Sequence, residues 1–254
     1  MLRVEHLCKA FGGVQVTQNV SINFPAGSLT ALIGPNGAGK TTFFNLVSGQ
    51  VKPDRGRVVF DGADVTGMSS TAIVRRGMAR AFQVASLFPT LTVRDALAAA
   101  VAAHQRRSWG VLSRFPPPGT RARVEELLGL LGLEHAAGRR CAVLSHGDQK
   151  LLDIGLALAM APKALLLDEP TAGMGPDERW RMIEKVQALW RQERLTVLFI
   201  EHDMDIVFRI AQRIHVLKYG AVLAEGTADE IRANPAVIEA YLGTDVGPGA
   251  GPQP

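Results

Sequence analysis

A glycine-rich stretch with one lysine and two threonines is the part of this chain best suited to hold phosphate groups. It contains Gly34, Pro35, Asn36, Gly37, Ala38, Gly39, Lys40, Thr41 and Thr42, and it follows the apolar residues 29–33. Glycines let backbone N–H groups turn toward a polyphosphate, where a side chain would block the approach. The spacing G-x-x-x-x-G-K-[ST] between a strand and a helix is that of a P-loop. We therefore predict that residues 34–42 bind a nucleotide.

Lys40 and Thr41 have separate roles toward such a nucleotide. The helix predicted to begin near Lys40 directs the positive end of its dipole at an anion. The Lys40 ammonium can reach the β- and γ-phosphates, and the Thr41 hydroxyl can ligate Mg²⁺. An ordinary glycine-rich turn is the alternative, but the strand, the spacing, the lysine and the threonine together favour nucleotide binding.

Two acidic residues end a second apolar run, at residues 164–167. Asp168 and Glu169 follow this run directly. Acids at a strand end are by themselves most often only solvated. In a P-loop enzyme, however, Asp168 would hold the Mg²⁺ shell and Glu169 would polarise the attacking water. With the P-loop present, we predict these two roles.

The composition fits one large domain or two small ones. The chain has 254 residues, of which 47% are hydrophobic, and its net charge is +4. Its basic residues are scattered, which argues against a nucleic-acid partner. Cys8 and Cys141 have neither CxxC spacing nor a nearby His cluster, so we expect reduced thiols.

The sequence offers no membrane-spanning or secretory segment. No apolar run approaches the roughly 20 residues that cross a bilayer. The N-terminal residues lack the apolar core of a signal peptide. We therefore expect a soluble, intracellular chain.

Hydrophobic periodicity and turn signals predict alternating strands and helices. Strands are expected within residues 2–33 and at 56–60, 79–82, 164–167, 196–200, 214–218 and 221–225. Helices are expected from residue 40, within 63–81, from 92 to about 104, and at 121–131, 148–161, 177–192, 203–211, 228–233 and 235–242. Residues 108–119 should form a loop or broken helix, and residues 244–254 a disordered tail.

A further element, residues 144–149, makes the resemblance to a known family specific. It spells Leu-Ser-His-Gly-Asp-Gln before a predicted helix, where Ser145 is also an ordinary N-cap candidate. The order of P-loop, L-S-x-G-x-Q element, apolar-Asp-Glu-Pro-Thr run and lone histidine resembles that of ATP-binding-cassette (ABC) ATPases, over residues 2–243. The resemblance implies the α/β fold class and, within the P-loop NTPases, the ABC ATPase fold. Its parts are a RecA-like core, an antiparallel β subdomain and a helical subdomain at about residues 84–160, inserted in the core.

The same resemblance assigns further site residues. Two cassettes of this family bind ATP head to tail, which implies that Ser145 and Gly147 meet the γ-phosphate at the other subunit's P-loop. Phe11 matches the aromatic that stacks on adenine, with a core position as the alternative. Gln83 matches the glutamine that touches Mg²⁺ and water and links to the membrane partner. His202 matches the switch histidine that contacts the γ-phosphate.

Two positions depart from the family pattern. His146 stands where the signature usually has its second glycine, and Gly175 stands where many members have an aspartate. The first change should be tolerable because Ser145 and Gly147 remain. The second leaves the cross-dimer contact of that loop open.

Three segments resemble one subfamily, the importer ATPases for branched-chain amino acids with relatives for amides and urea. These segments are residues 82–93, the Pro-rich interruption at 108–119, and residues 238–243. The resemblance implies ATP and Mg²⁺ as cofactors, a second cassette in a homo- or heterodimer, membrane permease subunits and, indirectly, a periplasmic solute-binding protein. It places the chain at the cytoplasmic face of the cell membrane. The substrate rests on analogy alone.

Three other functions remain open at this point. A P-loop kinase for a small molecule is disfavoured by residues 144–149 and by His202. A soluble nucleotide-gated module acting on DNA or ribosomes usually has paired cassettes or long coiled-coil insertions, which this chain lacks. An ATPase of a lipid-export system resembles this branch in its cassette and is not excluded.

Overall fold

Strands and helices alternate along the chain, as the sequence predicts. The computed structural model describes residues 1–81, 88–105 and 119–242. The described strands are β1 (Leu2–Phe11), β2 (Val14–Phe24), β3 (Leu29–Ile33), β4 (Arg55–Phe60), β5 (Ala63–Asp64), β6 (Met78–Ala81), β7 (Ala164–Asp168), β8 (Thr196–Ile200), β9 (Arg213–Lys218) and β10 (Ala221–Gly226). The described helices are α1 (Lys40–Val47), α2 (Ser70–Arg75), α3 (Val93–His104), α4 (Thr120–Leu131), α5 (His146–Leu158), α6 (Pro176–Gln192), α7 (Met204–Ile210), α8 (Ala228–Ala233) and α9 (Pro235–Leu242).

The chain divides into two compact units. The first comprises Met1–Met68 and Ile200–Pro254, and the second comprises Ser69–Phe199. The predicted helical subdomain at about residues 84–160 falls within the second unit. Among the residues that the structure describes, no helix combines the length and the apolar character needed to cross a membrane.

The first unit contains an antiparallel sheet with the strand order β2-β1-β4-β5. Along β2, the side chains of Val20, Ile22 and Phe24 are buried while the polar residues between them are exposed. This period of two is what a sheet with one solvated face requires. The sheet corresponds to the antiparallel β subdomain that the family resemblance implies.

The strands that carry the P-loop also lie in the first unit. Strand β9 pairs in parallel with β3 and antiparallel with β10. Every residue of β3 is buried, as expected for a strand covered on both faces. The hairpin of β9 and β10 turns at Tyr219 and Gly220, as predicted.

The second unit joins three strands to a group of helices. Strands β6 and β7 pair in parallel, with Ala81 opposite Leu167, and β8 is the other neighbour of β7. Gly155 lets α5 come close to the leucines of α3 and α4, because a Cβ at this position would meet Leu131 and Leu97. Each fully buried leucine contributes about 1.5–3 kcal/mol of hydrophobic free energy.

Two helix predictions need correction. Helix α5 spans His146–Leu158, so it begins two residues earlier and ends three residues earlier than predicted. It begins early because Ser145 caps it: the Asp148 N–H donates to Ser145 Oγ at 3.1 Å. Within residues 63–81, the short strand β5 precedes a helix of only six residues, capped by Ser69. The predictions for Gln83, for most of the 108–119 loop and for the tail at 244–254 concern residues outside those described.

Candidate nucleotide site

The P-loop connects β3 to α1 in the first unit, as the motif requires. Gly34 and Gly39 both have positive φ, at 151° and 97°. A Cβ at Gly34 would clash with the carbonyl oxygen of Leu217, and a Cβ at Gly39 would lie 2.5 Å from that of Val16. Glycine is therefore required at both ends of the loop, where the backbone passes close to neighbouring strands.

Lys40 and the start of α1 give this loop its affinity for anions. The Lys40 side chain is buried, and its ammonium donates to the carbonyl oxygens of Gly34 at 2.7 Å and Pro35 at 3.1 Å. No side chain caps the N-terminus of α1, and a helix N-terminus attracts anions. The glycines, the lysine and the uncapped helix together fit a polyphosphate. Thr41 is exposed in the first turn of α1, where such a ligand would contact it.

Phe11 and His202 both present exposed side chains in the first unit. Phe11 is 47% exposed, so its alternative assignment to the core is wrong, and Lys9 Nζ lies 5.4 Å from its ring centroid. His202 follows β8, and its backbone N–H donates to the buried Glu201 at 3.2 Å. Adenine stacking by Phe11 and phosphate sensing by His202 stay predictions.

Tyr241 of α9 is a contact of the P-loop that the sequence does not reveal. The backbone of Gly34 hydrogen-bonds to the Tyr241 hydroxyl, and burial raises the pKa of Tyr241 to about 12. A tyrosine in a C-terminal helix carries no motif spacing, so no sequence signal relates it to Gly34.

Asp168 ends β7 in the second unit, next to an arginine of the adjacent strand. The Nη2 atom of Arg80 lies 2.5 Å from Asp168 Oδ2, and the Arg80 side chain is only 7% exposed. A buried cation of this kind requires a paired carboxylate, which explains the contact. The pair places a positive charge beside the carboxylate predicted to hold Mg²⁺.

Glu169 has an unusual backbone conformation. Its φ is 49°, which is the left-handed region, and this costs a non-glycine residue about 1–2 kcal/mol. Its carbonyl oxygen accepts two hydrogen bonds, from Lys150 Nζ at 3.1 Å and from the Ala172 N–H at 3.2 Å. Strained residues of this kind persist where surrounding contacts hold them, often at functional sites.

Residues 144–149, the signature segment, lie at the N-terminus of α5. Ser145 is the N-cap, so the ordinary capping role is present, and its side chain is exposed. Gly147 is buried against α6, where a Cβ would meet the carboxylate of Glu178. His146 Nε2 lies 3.0 Å from the carbonyl oxygen of Ala172, so this nitrogen donates its hydrogen.

The predicted site residues thus fall into two groups. Residues 34–42, Phe11 and His202 belong to the first unit, and Ser145, Gly147, Asp168 and Glu169 belong to the second. Helix α5 brings the signature segment to the residues that follow Asp168. A P-loop between β3 and α1, together with a buried strand that ends in two carboxylates, defines the chain as a P-loop NTPase.

Comparisons with known proteins identify the family. The family model described as ABC transporter matches residues 17–172, and that described as branched-chain amino acid ATP-binding cassette transporter matches residues 221–247. The chain is 39% identical to the high-affinity branched-chain amino acid transport ATP-binding protein LivG of Escherichia coli K12, over 96% of this chain and 98% of LivG. It is 36% identical to BraF of Pseudomonas aeruginosa, which has the same description, over 96% of the chain and 98% of BraF. The chain belongs to the ABC transporter family.

Solved structures agree with this assignment. The ADP conformation of the cassette MJ1267 matches with a TM-score of 0.83 and 32% identity, covering 96% of this chain and 98% of that one. The dimeric cassette MJ0796 matches with a TM-score of 0.75 and 27% identity, covering 90% and 99%. The predicted ABC ATPase fold and the predicted ATP-hydrolysing activity are thereby confirmed.

Proposed function

We propose that the chain is the ATP-hydrolysing subunit of a membrane transporter that imports branched-chain amino acids. The observation that carries this proposal is the match of residues 221–247 to the branched-chain amino acid cassette model. The relatives LivG and BraF, at 36–40% identity over nearly the whole chain, support it. Nothing in the ATP site itself contacts the transported solute, so the subfamily match is the basis for naming one.

The working unit is a head-to-tail pair of cassettes. Ser145, Gly147 and the N-terminus of α5 bind the γ-phosphate held by the other cassette, because a hydroxyl and a helix N-terminus form an anion site. Moving such a pair from mostly open to mostly closed requires about 5.5 kcal/mol of differential binding. Charge-assisted hydrogen bonds contribute roughly 1.5–3 kcal/mol each, so a few of them suffice. The likeness to a dimeric cassette supports this arrangement.

Within each site, Lys40 exchanges its contacts to Gly34 and Pro35 for phosphate oxygens. Thr41, Gln83 and Asp168 would hold Mg²⁺, since their hydroxyl, amide and carboxylate oxygens are ligands that this ion prefers. When bound, the ion supplies charge stabilisation at the β- and γ-phosphates.

Hydrolysis needs a base and a sensor beside these phosphate contacts. Glu169 accepts a proton from the attacking water, and His202 contacts the γ-phosphate. Loss of the γ-phosphate removes the contacts that join the two cassettes, which then separate. Gln83 passes this motion to the permease.

The partners follow from this role. The chain works at the cytoplasmic face of the cell membrane with permease subunits, which receive solute from a periplasmic binding protein. Its own helices, as far as the structure describes them, include none that would cross the membrane.

Reconstitution tests the proposal directly. The chain is combined in proteoliposomes with the permease pair encoded beside its gene and with the neighbouring solute-binding protein. We expect ATP-dependent uptake of labelled leucine, isoleucine and valine, and none with Glu169→Gln. Uptake of urea or amides without these amino acids would contradict the proposed solute. Lipid extraction in place of uptake would contradict import.

A further inference from the structure

The loop of residues 169–175 is attached to helix α5 at two points. Lys150 Nζ lies 3.1 Å from the carbonyl oxygen of Glu169, and His146 Nε2 lies 3.0 Å from that of Ala172. Lys150 and His146 are four residues apart, so they project from the same face of α5, one turn from each other. This helix therefore contacts the first residue of the loop and a residue in its middle.

The Lys150 contact is buried. The side chain of Lys150 is only 7% exposed, and a buried ammonium is costly unless it is hydrogen-bonded. Its bond to the Glu169 carbonyl is charge-assisted and therefore stronger than a neutral one. Because Glu169 is in the left-handed region, with φ at 49°, its backbone needs such external contacts to persist.

Helix α5 also begins at the signature segment. Its N-cap is Ser145, and its first turn contains Gly147. One rigid helix of 13 residues thus carries both the proposed phosphate contacts and the two side chains that hold the 169–175 loop.

We propose that Lys150 and His146 are positioning residues through which the signature helix sets the catalytic carboxylate of its own cassette. When the N-terminus of α5 binds the phosphate at the other cassette's site, the helix is fixed, and Lys150 fixes Glu169. Each cassette's Glu169 is therefore readied by occupancy of the opposite site. The inference rests on the proposed roles of Glu169 and the signature segment.

The test compares variants that remove or keep the donors. Lys150→Met removes the ammonium at similar volume, and Lys150→Arg keeps a charged donor. At the exposed position 146, His146→Ala removes the donor and His146→Gln keeps a donor. Lys163→Met is the matched control, because Lys163 is an exposed lysine at the opposite end of β7. For each variant, kcat, KM, ATP affinity and thermal midpoint are measured.

We expect Lys150→Met to lower kcat about 10- to 100-fold with nearly unchanged ATP affinity, since the lost bond acts on Glu169 and not on the P-loop. Lys150→Arg should recover most of this loss, and Lys163→Met should behave like the wild type. His146→Ala should lower kcat about threefold, from loss of one neutral hydrogen bond, and His146→Gln should restore it. Wild-type kcat in both Lys150→Met and His146→Ala would overturn the inference. If Lys150→Met does not fold, the His146 pair decides the question alone.

A double variant separates positioning from general damage. Once Glu169→Gln has removed the carboxylate, adding Lys150→Met should lower single-turnover phosphate release no further. If the double variant instead lost the product of the two single-variant losses in rate, the inference would be overturned and Lys150 would be a structural residue. Normal hydrolysis by Glu169→Gln alone would instead contradict the proposed catalytic role of Glu169, so the two failures are distinguishable.

Discussion

The P-loop and the 169–175 loop achieve their conformations in different ways. The P-loop is set by glycines inside its own sequence, and Lys40 bonds to carbonyls only five and six residues away. The 169–175 loop contains a strained Glu169 and is held by side chains from two helices, Lys150 and His146 of α5 and Arg179 of α6. A local motif therefore specifies the conformation of the P-loop, whereas tertiary contacts specify the backbone conformation of Glu169, which carries the proposed catalytic carboxylate.

This difference implies distinct failures on mutation. Changes in the P-loop should act on ATP affinity, because this loop supplies the proposed phosphate contacts. Changes around Glu169 should act on turnover, because the proposed contacts of ATP with the P-loop lie in the other unit.

Replacing the P-loop lysine should have the largest effect on affinity. Lys40→Ala removes at least two charge-assisted contacts to phosphate, so ATP should bind about 100-fold more weakly or worse. The loop itself should stay intact, with an unfolding midpoint near that of the wild type. Calorimetry with ATP measures this, and Lys52→Ala, outside the motif, is the control. An unchanged ATP affinity would contradict the P-loop assignment.

Acid should weaken the unit that carries the P-loop through His215. This residue of β9 is opposite Leu32 of β3, and burial lowers its pKa to about 4 from the usual 6.5. His215 binds a proton more readily in the unfolded chain than in the folded one. Its contribution to the free energy of unfolding is therefore complete above pH 6.5 and is lost as the pH falls toward 4. The loss amounts to about 3 kcal/mol.

Urea unfolding at several pH values measures this dependence. His215→Gln should flatten the curve between pH 6.5 and 4, whereas the exposed His6→Gln should not. The same pH slope in both variants and the wild type would exclude His215 as the cause.

A smaller effect is expected from Tyr241, which contacts the P-loop from α9. Tyr241→Phe removes the hydroxyl that accepts the Gly34 backbone hydrogen bond. Loss of one such bond costs about 1 kcal/mol, so ATP should bind about fivefold more weakly. The kcat at saturating ATP should change little. Tyr219→Phe is the matched control, because that ring is 78% exposed. Equal ATP affinity in both variants would mean that the Tyr241 hydroxyl does not support the loop.

The same contrast explains how far the sequence predicts the structure. The P-loop, the buried strand before Asp168 and the hairpin at Tyr219 depend on local patterns, and the structure contains all three. The contact of Arg80 with Asp168 spans 88 positions and that of Lys150 with Glu169 spans 19, and neither has a motif. The sequence predicts that α5 begins at Asp148, whereas the helix begins at His146, directly after its N-cap Ser145.

In the proposed head-to-tail pair, ATP joins the P-loop of one copy to the signature segment of another. In the Glu169→Gln background, one preparation carries Asn36→Cys at the P-loop and a second carries Val143→Cys beside the signature segment, both at exposed positions. After mixing, a short bifunctional thiol reagent should crosslink the two copies with ATP and Mg²⁺ but not with ADP, and the parent variant with only its own Cys8 and Cys141 should stay uncrosslinked. Absence of the ATP-dependent crosslink, or equal crosslinking without nucleotide, would contradict the head-to-tail pairing of the two copies.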